Sequence, residues 1–401
     1  MNILFLTLAR ITTLDERGIY TDLLRKFRNE GHHVYIVSPF ERREKKKTGV
    51  VQESGATILN VKTFNLQKTN LVEKGIGTLA IEYQYLNAIR NHFANEKFDL
   101  VLYSTPPITF SKVISFVKKR DNAFAYLLLK DIFPQNAVDM KMLRENGILH
   151  RFFKQKEEKL YALSDTIGCM SDANKNYIIR HNPKIAESKI EVNPNSIEPI
   201  RAEITTEERI AIRKKYELPV NARILVYGGN LGKPQGIGFL LETIKATTAE
   251  EVFFLVVGSG TEYESIRKWF SDQQPTNAKL LKGLPKNDYD TLLRACDVGL
   301  IFLHKDFTIP NFPSRLLSYL EMAIPVIAAT DPNTDIGQII EKEKCGHWVI
   351  SGDNTQMQNA IQAICSNENC EMMGANGWNL LQREYKVDHS YELIQKRIQN
   401  V

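Results

Sequence analysis

A glycine-rich segment with one lysine follows an apolar run near the middle of the chain. The run at 223–227 leads into Tyr227-Gly228-Gly229-Asn230-Leu231-Gly232-Lys233-Pro234-Gln235-Gly236. Glycines let the backbone approach a ligand closely, and Lys233 supplies a positive charge. A helix beginning at about Ile237 would turn free amides toward an anion. The segment predicts a diphosphate-binding loop, and the alternative is a tight strand-to-helix turn.

A second candidate for anion binding lies about 80 residues later, at Pro313-Ser314-Arg315. Proline followed by serine is typical of a helix start, where first-turn amides are free. The guanidinium of Arg315 offers paired donors that suit a phosphate. This segment is predicted to hold a second side of the same diphosphate, and an ordinary capped helix is the alternative.

Asp131 is the candidate residue for acid–base chemistry, because it follows Lys130 at the end of a predicted strand, Phe124–Leu129. A carboxylate at a strand end could position or deprotonate an acceptor hydroxyl. The alternative is that Asp131 caps the helix after Pro134.

Metal binding is not predicted. Asp288-Tyr289-Asp290 has a D-x-D spacing, but it falls at the start of a predicted helix, where capping is the favoured interpretation. The eight histidines show no paired ligand spacing. We therefore expect no metal and no other cofactor.

Strands and helices alternate along the chain, which predicts parallel βαβ units. Apolar runs at 3–8, 33–38, 57–61, 100–104, 124–129, 166–170 and 190–192 precede a polar stretch, and runs at 223–227, 252–257, 279–282, 298–302 and 326–329 follow it. The predicted fold is α/β with two doubly wound, Rossmann-like domains facing across a cleft. The predicted boundaries are 1–197 and 198–377, with 378–401 as a C-terminal helix that could cross back to the first domain.

Composition and charge restrict the compartment and the partners. The five cysteines are scattered, and the N-terminus has no signal-peptide pattern, so we expect a cytoplasmic protein. Residues 1–197 carry 30 Lys and Arg against 21 Asp and Glu, a net +9, whereas the remainder is net −4. The clusters 42–47 and 118–120 predict docking on an anionic membrane, and a solvated face is the alternative. No nucleic-acid partner is expected.

In their joint order, several motifs resemble the retaining GT-B glycosyltransferases of family 4, in particular the bacterial group that builds surface polysaccharides on lipid carriers. They are Gly229-Asn230-Leu231-Gly232-Lys233 with Gly236, Val257-Gly258-Ser259-Gly260, Lys282-Gly283-Leu284-Pro285, Pro313–Leu320 with Pro325-Val326-Ile327, Lys130–Val138, Ala162–Asp165 and Pro194-Asn195.

This resemblance implies a role for each matching residue. Lys233 and Arg315 would contact the donor diphosphate, Gly283 and Leu284 the base, and Ser318 the ribose, with Asp131 beside Lys130 on the acceptor side. The implied donor-binding residues are Gly229, Asn230, Gly232, Lys233, Gly283, Leu284, Ser314, Arg315, Leu316 and Ser318, and the implied catalytic residues are Asp131, Lys233 and Arg315.

Some positions depart from the pattern of the wider family. The usual pair of glutamates falls on Pro310 and Ser318, and the usual arginine and lysine of the glycine loop fall on Asn230 and Gln235. Lys130 stands where a histidine is common. Lys233 is therefore the substitute cation of the loop.

The resemblance implies a retaining, metal-independent transfer of a hexose or N-acetylhexosamine. The donor would be a nucleotide sugar, with UDP expected, and the acceptor a lipid-diphosphate-linked saccharide in O-antigen or capsule synthesis. The enzyme would work peripherally on the inner face of the cytoplasmic membrane. Two alternatives remain open: a nucleotide-sugar 2-epimerase of the same fold, and a two-lobed binding protein without catalysis.

Overall fold

The chain forms two compact units. The computed structural model describes residues 1–65, 71–201, 203–365 and 370–399. Unit 1 comprises Met1–Glu198 and Val387–Val401, and unit 2 comprises Pro199–Lys386. The chain thus changes unit after Glu198 and again after Lys386, whereas the predicted boundaries follow residues 197 and 377.

Unit 1 is built on an eight-stranded sheet. Its strands are β1 (Asn2–Leu6), β2 (His33–Glu41), β3 (Gly49–Glu53), β4 (Ala56–Thr63), β5 (Leu100–Ser104), β6 (Phe124–Leu129), β7 (Thr166–Cys169) and β8 (Ile190–Val192). The spatial order is β3-β4-β2-β1-β5-β6-β7-β8. All neighbours pair in parallel except β3, which runs antiparallel to β4 at the edge.

Helices cover this sheet, which explains why its central strands are apolar throughout. They are α1 (Ile19–Asn29), α2 (Leu71–His92), α3 (Ser111–Asp121), α4 (Gln135–Asp139), α5 (Ile148–Leu163) and α6 (Asp172–His181). Every residue of β5 and β7 is buried. A parallel strand covered on both faces has no solvent side, so its sequence does not alternate between apolar and polar residues.

Unit 2 repeats the plan with six parallel strands. They are β9 (Arg223–Asn230), β10 (Val252–Ser259), β11 (Ala278–Lys282), β12 (Val298–Phe302), β13 (Val326–Thr330) and β14 (Gly346–Ile350), in the order β11-β10-β9-β12-β13-β14. The helices are α7 (Thr206–Lys215), α8 (Ile237–Ala246), α9 (Tyr263–Gln273), α10 (Lys286–Leu293), α11 (Arg315–Glu321), α12 (Ile336–Lys342), α13 (Asn354–Cys365) and α14 (Cys370–Glu384).

The strands that sequence periodicity missed lie at sheet edges. β3 has two exposed valines, Val50 and Val51, and β14 includes the half-buried pair His347 and Trp348. Edge strands are covered on fewer sides, so they carry a weaker apolar signal. The polar stretch before β9 also contains a helix, α7. Thr205 and Glu208 form a reciprocal capping box at its N-terminus.

The C-terminal helix predicted from Trp378 to Gln399 is two helices, and the single-helix prediction is wrong. α14 ends at Glu384, and α15 (Val387–Gln399) begins after a break at Tyr385–Lys386. α15 belongs to unit 1, where Val387 and Ile394 join the core cluster that contains Leu24 and Phe27. Polar contacts reinforce this packing, because Asp388 pairs with Lys26 at 2.8 Å and Arg397 pairs with Glu191 at 2.7 Å.

None of the helices in the described residues combines the length and apolar character needed to cross a bilayer.

Replacing Ile394 by alanine should destabilise unit 1. The side chain is fully buried in the unit 1 core. Replacing a buried isoleucine by alanine lowers the free energy of unfolding by about 2–5 kcal/mol. Hydrogen exchange under mild urea should show faster opening in β1 and β2, with β9 and β10 unchanged. The exposed neighbour Lys396→Ala serves as the control. Equal acceleration in both sheets would show that α15 does not stabilise unit 1 selectively.

Candidate functional site

The predicted diphosphate loop lies at the carboxyl end of β9, where backbones approach too closely for side chains. A Cβ on Gly258 would lie 2.1 Å from the carbonyl oxygen of Gly229, and a Cβ on Gly260 would lie 2.2 Å from that of Leu231. Such distances exclude any residue with a Cβ. The backbones at the ends of β9 and β10 therefore pack directly against each other, and Gly229, Asn230, Ser259 and Gly260 are exposed there.

The glycine loop is also fixed to the end of β12. Gly236 adopts φ +59°, and a Cβ there would lie 2.7 Å from the carbonyl oxygen of Leu303. The amide of His304 donates to the carbonyl of Pro234 at 3.0 Å. Just before these two anchor points, Lys233 begins a short 3-10 turn, Lys233–Gln235, and its side chain is exposed. α8 then starts at Ile237, as predicted.

Arg315 lies next to this loop and is held in place by aromatic and polar contacts. The guanidinium carbon lies 4.4 Å from the ring centre of Tyr227, which is within cation–π range. Nη2 donates to Oε1 of Gln235. Nη1 is buried and has no hydrogen-bond partner among the described residues. The structure therefore brings Arg315 to the glycine loop with one donor nitrogen unused.

Sequence reasoning did not select three residues that lie around Arg315, namely Gln235, Tyr289 and Tyr319. The hydroxyl of Tyr319 donates to the carbonyl of Leu300 at 3.1 Å and accepts from the amide of Gly228 at 3.3 Å. A Cβ on Gly228 would collide with the hydroxyl of Tyr289. The signal for Gln235 was its position in the loop, where the family pattern has a lysine.

The remaining predicted donor residues differ in exposure. Ser314 precedes α11 at its N-cap but makes no side-chain capping bond, and Ser318 is half-buried one turn later. Leu316 is fully buried, so its side chain serves the core and only its backbone could face a ligand. Gly283 follows β11 and lies against Ser259, with a Cβ position 3.5 Å from its Oγ. Leu284 beside it is half-buried.

Asn230 and Gly232 are placed by the loop itself. Asn230 is exposed at the end of β9, while its carbonyl accepts from the hydroxyl of Tyr227 at 2.7 Å. Gly232 lies beside the Asn230 side chain, with a Cβ position 3.1 Å from its Nδ2. Both residues thus belong to the same strand-end loop as Lys233.

The D-x-D segment lies at the start of a helix, as predicted. α10 begins at Lys286 with Pro285 at the N-cap, so Asp288 lies in its first turn. Asp290 pairs with Lys286, and Tyr289 is turned toward Gly228. No group of three or more potential metal ligands occurs within 1–65, 71–201, 203–365 and 370–399.

A buried carboxylate at the end of β13 was missed. Asp331 is fully buried; one oxygen accepts from the amide of Asn333 at 2.9 Å, and the other has no partner among the described residues. Burial raises its pKa to about 6. Its position two residues after the apolar run Val326–Ala329 was the available signal, because ligand-facing residues follow strands.

In unit 1, Asp131 follows β6 and is half-buried. Asn136 Nδ2 donates to both carboxylate oxygens, at 2.8 and 2.7 Å. Burial raises the pKa of Asp131 to about 6, opposed by hydrogen bonds from the Ile132 amide and Asn136. α4 begins at Gln135 with Pro134 at the N-cap and no side-chain capping bond. The helix-cap alternative for Asp131 is therefore wrong.

The side chain of Lys130 contacts different residues from the side chain of the adjacent Asp131. Its Nζ lies 3.5 Å from the carbonyl oxygen of Asn193, and burial lowers its pKa to about 7. Asn193 is fixed on both sides, since its Nδ2 donates to the Tyr126 hydroxyl at 2.9 Å and its Oδ1 accepts from Ser390 at 2.7 Å. The strand ends of β6 and β8 and helix α15 thus meet beside Lys130.

Comparison with known proteins shows what this chain is similar to. Residues 208–379 match the family model described as "Glycosyl transferases group 1". WbjE of Pseudomonas aeruginosa, named as a probable glycosyltransferase, is 22% identical over 333 residues, covering 81% of this chain and 80% of that protein. WcaI of Escherichia coli (strain K12), named for colanic acid biosynthesis as a glycosyl transferase, is 24% identical over 181 residues, covering 44% and 43%.

Among solved structures, Anabaena HepE in complex with UDP superposes with a TM-score of 0.70 at 12% identity, covering 100% of both chains. The fold class predicted from sequence, two Rossmann-like α/β sheets of the GT-B type, is confirmed. The glycine loop, Arg315 and Asp331 all lie within residues 208–379, the part of the chain that matches the glycosyl transferases group 1 model.

Replacing Asp131 by asparagine should stabilise the protein at neutral pH. The folded pKa of about 6 lies above the ordinary value of 3.8, so ionisation opposes folding and stability is lost as pH rises from about 4 through about 6. Thermal unfolding should show a higher Tm for the variant at pH 8 and a shrinking difference toward pH 5. The exposed Asp272→Asn is the control. A variant less stable than wild type at pH 8 would contradict this origin of the shift.

Proposed function

We propose that the chain is a retaining, metal-independent glycosyltransferase that works in bacterial surface polysaccharide synthesis. It moves a hexose or N-acetylhexosamine from a UDP-sugar to a lipid-diphosphate-linked saccharide. The single observation that carries this proposal is the position of Arg315 against the glycine loop, where Nη2 donates to Gln235 and Nη1 has no partner among the described residues, inside the residues that match the glycosyltransferase model. A guanidinium beside the exposed Lys233 suits a diphosphate.

The electrostatics of unit 2 support a donor diphosphate. Breaking the bond between the sugar C1 and the phosphate oxygen leaves negative charge on the departing nucleotide, and fixed positive groups stabilise it. Lys233 is exposed on the loop, and Arg315 has one unused donor nitrogen. HepE was solved with UDP, and this is the basis for proposing UDP as the leaving group here.

The acceptor role belongs to unit 1 in this proposal. Asp131 positions the acceptor hydroxyl through its half-buried carboxylate, which Asn136 orients. The new bond from the acceptor oxygen to C1 forms on the face that the phosphate leaves, and the hydroxyl proton passes to a phosphate oxygen. The name of WcaI, which refers to colanic acid biosynthesis, and the resemblance to the lipid-carrier group support a polysaccharide acceptor. The enzyme would act in the cytoplasm, at the inner face of the membrane.

A panel of nucleotides and nucleotide sugars tests the function directly. A specific donor raises the Tm by mass action, and incubation with it should release free nucleoside diphosphate in an acceptor-dependent way. Recovery of an altered nucleotide sugar would instead identify an epimerase. Binding without any turnover would identify a non-catalytic receptor, and either result would overturn the proposal.

Lys233→Ala should weaken donor binding and slow transfer while leaving the fold intact. The side chain is exposed on the 3-10 turn, so its removal costs little stability. Losing one preorganised charge at a departing phosphate typically costs about 10²–10³ in rate. Calorimetric titration of UDP and initial rates check this, with Lys245→Ala on α8 as the matched exposed control. Unchanged UDP affinity in Lys233→Ala would remove the loop from the site.

Asp131→Asn should reduce turnover while UDP affinity stays near that of wild type, because Asp131 lies in unit 1. In the wild type, the rate should fall as pH drops through about 6, where the carboxylate becomes protonated. This acid limb should be absent from the residual rate of the variant. Equal losses of UDP binding and turnover would show that the division into donor and acceptor sides is wrong.

A further inference from the structure

Unit 1 exposes several large apolar side chains within one short stretch. Met142 is 64% exposed, Ile148 89%, Leu149 60% and Phe152 36%. We call the segment from Met142 to Phe152 the apolar tip. Single exposed hydrophobic residues are normal on a protein surface, whereas a contiguous group marks a surface that another phase or molecule covers.

The backbone of the apolar tip is fixed by hydrogen bonds. The amide of Met142 donates to the carbonyl of Ala137 at 2.8 Å, and that of Gly147 donates to Arg144 at 3.1 Å. α5 begins at Ile148 with Gly147 at its N-cap. Ile148 and Phe152 are four residues apart, so they share one face of the helix. The apolar side chains are therefore presented by formed secondary structure.

Basic residues lie among these side chains in the sequence. From 140 to 156 the sequence has five Lys and Arg and one acidic residue, Glu145. Lys141, Arg144 and Arg151 are exposed. Apolar residues at the tip of an element with basic residues beside them are the arrangement by which proteins bind anionic lipid surfaces, because the side chains enter the headgroup boundary and the cations meet lipid phosphates.

The apolar tip is joined by packing to the segment that carries Asp131. The ring of Phe153 lies 5.0 Å from that of Phe133 and 5.3 Å from that of Phe152. Phe133 is two residues after Asp131. A lipid-linked acceptor held in a bilayer under the apolar tip would therefore enter unit 1 near the proposed acceptor carboxylate.

We propose that the apolar tip inserts into the headgroup region of an anionic bilayer and docks unit 1 there. The link to the acceptor rests on the proposed function, whereas docking itself requires no catalysis.

The basic clusters predicted from the sequence fit this role less well. Lys118 pairs with Asp165 at 2.7 Å. Arg120 pairs with Asp121 and donates to the carbonyls of Phe93 and Glu96. These two cations are engaged in contacts within unit 1. Lys45, Lys46 and Lys47 are exposed, so they provide the competing surface that an experiment must separate from the apolar tip.

Cosedimentation with vesicles tests the proposal. The full-length protein should bind vesicles of phosphatidylcholine with phosphatidylglycerol and bind pure phosphatidylcholine weakly. The double variant Ile148→Gln/Leu149→Gln should lower the partition coefficient at least about tenfold, because two large side chains then gain nothing by leaving water. Arg144→Glu/Arg151→Glu should lose binding mainly at low salt, where screening is weak.

Matched controls come from unit 2 and from the competing surface. Ile200 and Met372 are 51% and 54% exposed, and Ile200→Gln/Met372→Gln should bind vesicles like the wild type. Nucleotide release with a soluble acceptor should be unchanged in the Ile148→Gln/Leu149→Gln variant. Failure of release in the wild type alongside intact vesicle binding would overturn the proposed function and leave docking standing.

Three results would overturn the docking proposal. One is a wild-type protein that does not bind anionic vesicles at low salt. Another is loss of binding in Lys45→Glu/Lys46→Glu/Lys47→Glu together with full binding in Ile148→Gln/Leu149→Gln. The third is a wild-type dimer in sedimentation velocity that becomes monomeric in Ile148→Gln/Leu149→Gln, since a second copy of the chain would then cover the apolar tip.

Discussion

The close approach of two backbones at the ends of β9 and β10 is the constraint on which the rest of unit 2 depends. A Cβ on residue 258 would lie 2.1 Å from the carbonyl oxygen of Gly229, so only glycine fits at this position. The close approach fixes the start of the loop that follows β9. The Lys233–Gln235 turn and the start of α11 then place two cations, Lys233 and Arg315, beside that loop.

Both units contain polar groups that burial removes from water without full compensation by hydrogen bonds or opposite charges. Arg315 retains an unused nitrogen although Tyr227 and Gln235 hold its guanidinium. Asp131 and Asp331 are carboxylates whose pKa values burial raises to about 6. Groups that are desolvated without full compensation lower stability, and they are concentrated at sites where charge develops or is bound.

In unit 1, Asn193 connects the strand end that carries Lys130 and Asp131 with the C-terminal helix α15. Asn193 touches the β6 residue Tyr126 and the α15 residue Ser390, and its carbonyl lies beside Lys130. Helix α15 buries Val387 and Ile394 in the core of the same unit. The C-terminal segment thus supports the strand ends around Lys130 and Asp131. The apolar tip of the same unit leaves Met142, Ile148, Leu149 and Phe152 exposed to solvent.

The sequence by itself determined the two α/β sheets and the strand-end loops. Parallel strands covered on both faces are apolar throughout, so the polar and glycine-rich residues that follow each strand are easy to recognise. Leu100–Ser104, Phe124–Leu129 and Val298–Phe302 were predicted with the observed bounds. Only the tertiary structure decided which residues meet. Arg315 is about 80 residues from Tyr227 and Gln235 in the sequence, and no local pattern encodes their contact. The edge strands, the break before α15 and the burial of Asp331 likewise follow from long-range packing, which periodicity does not report.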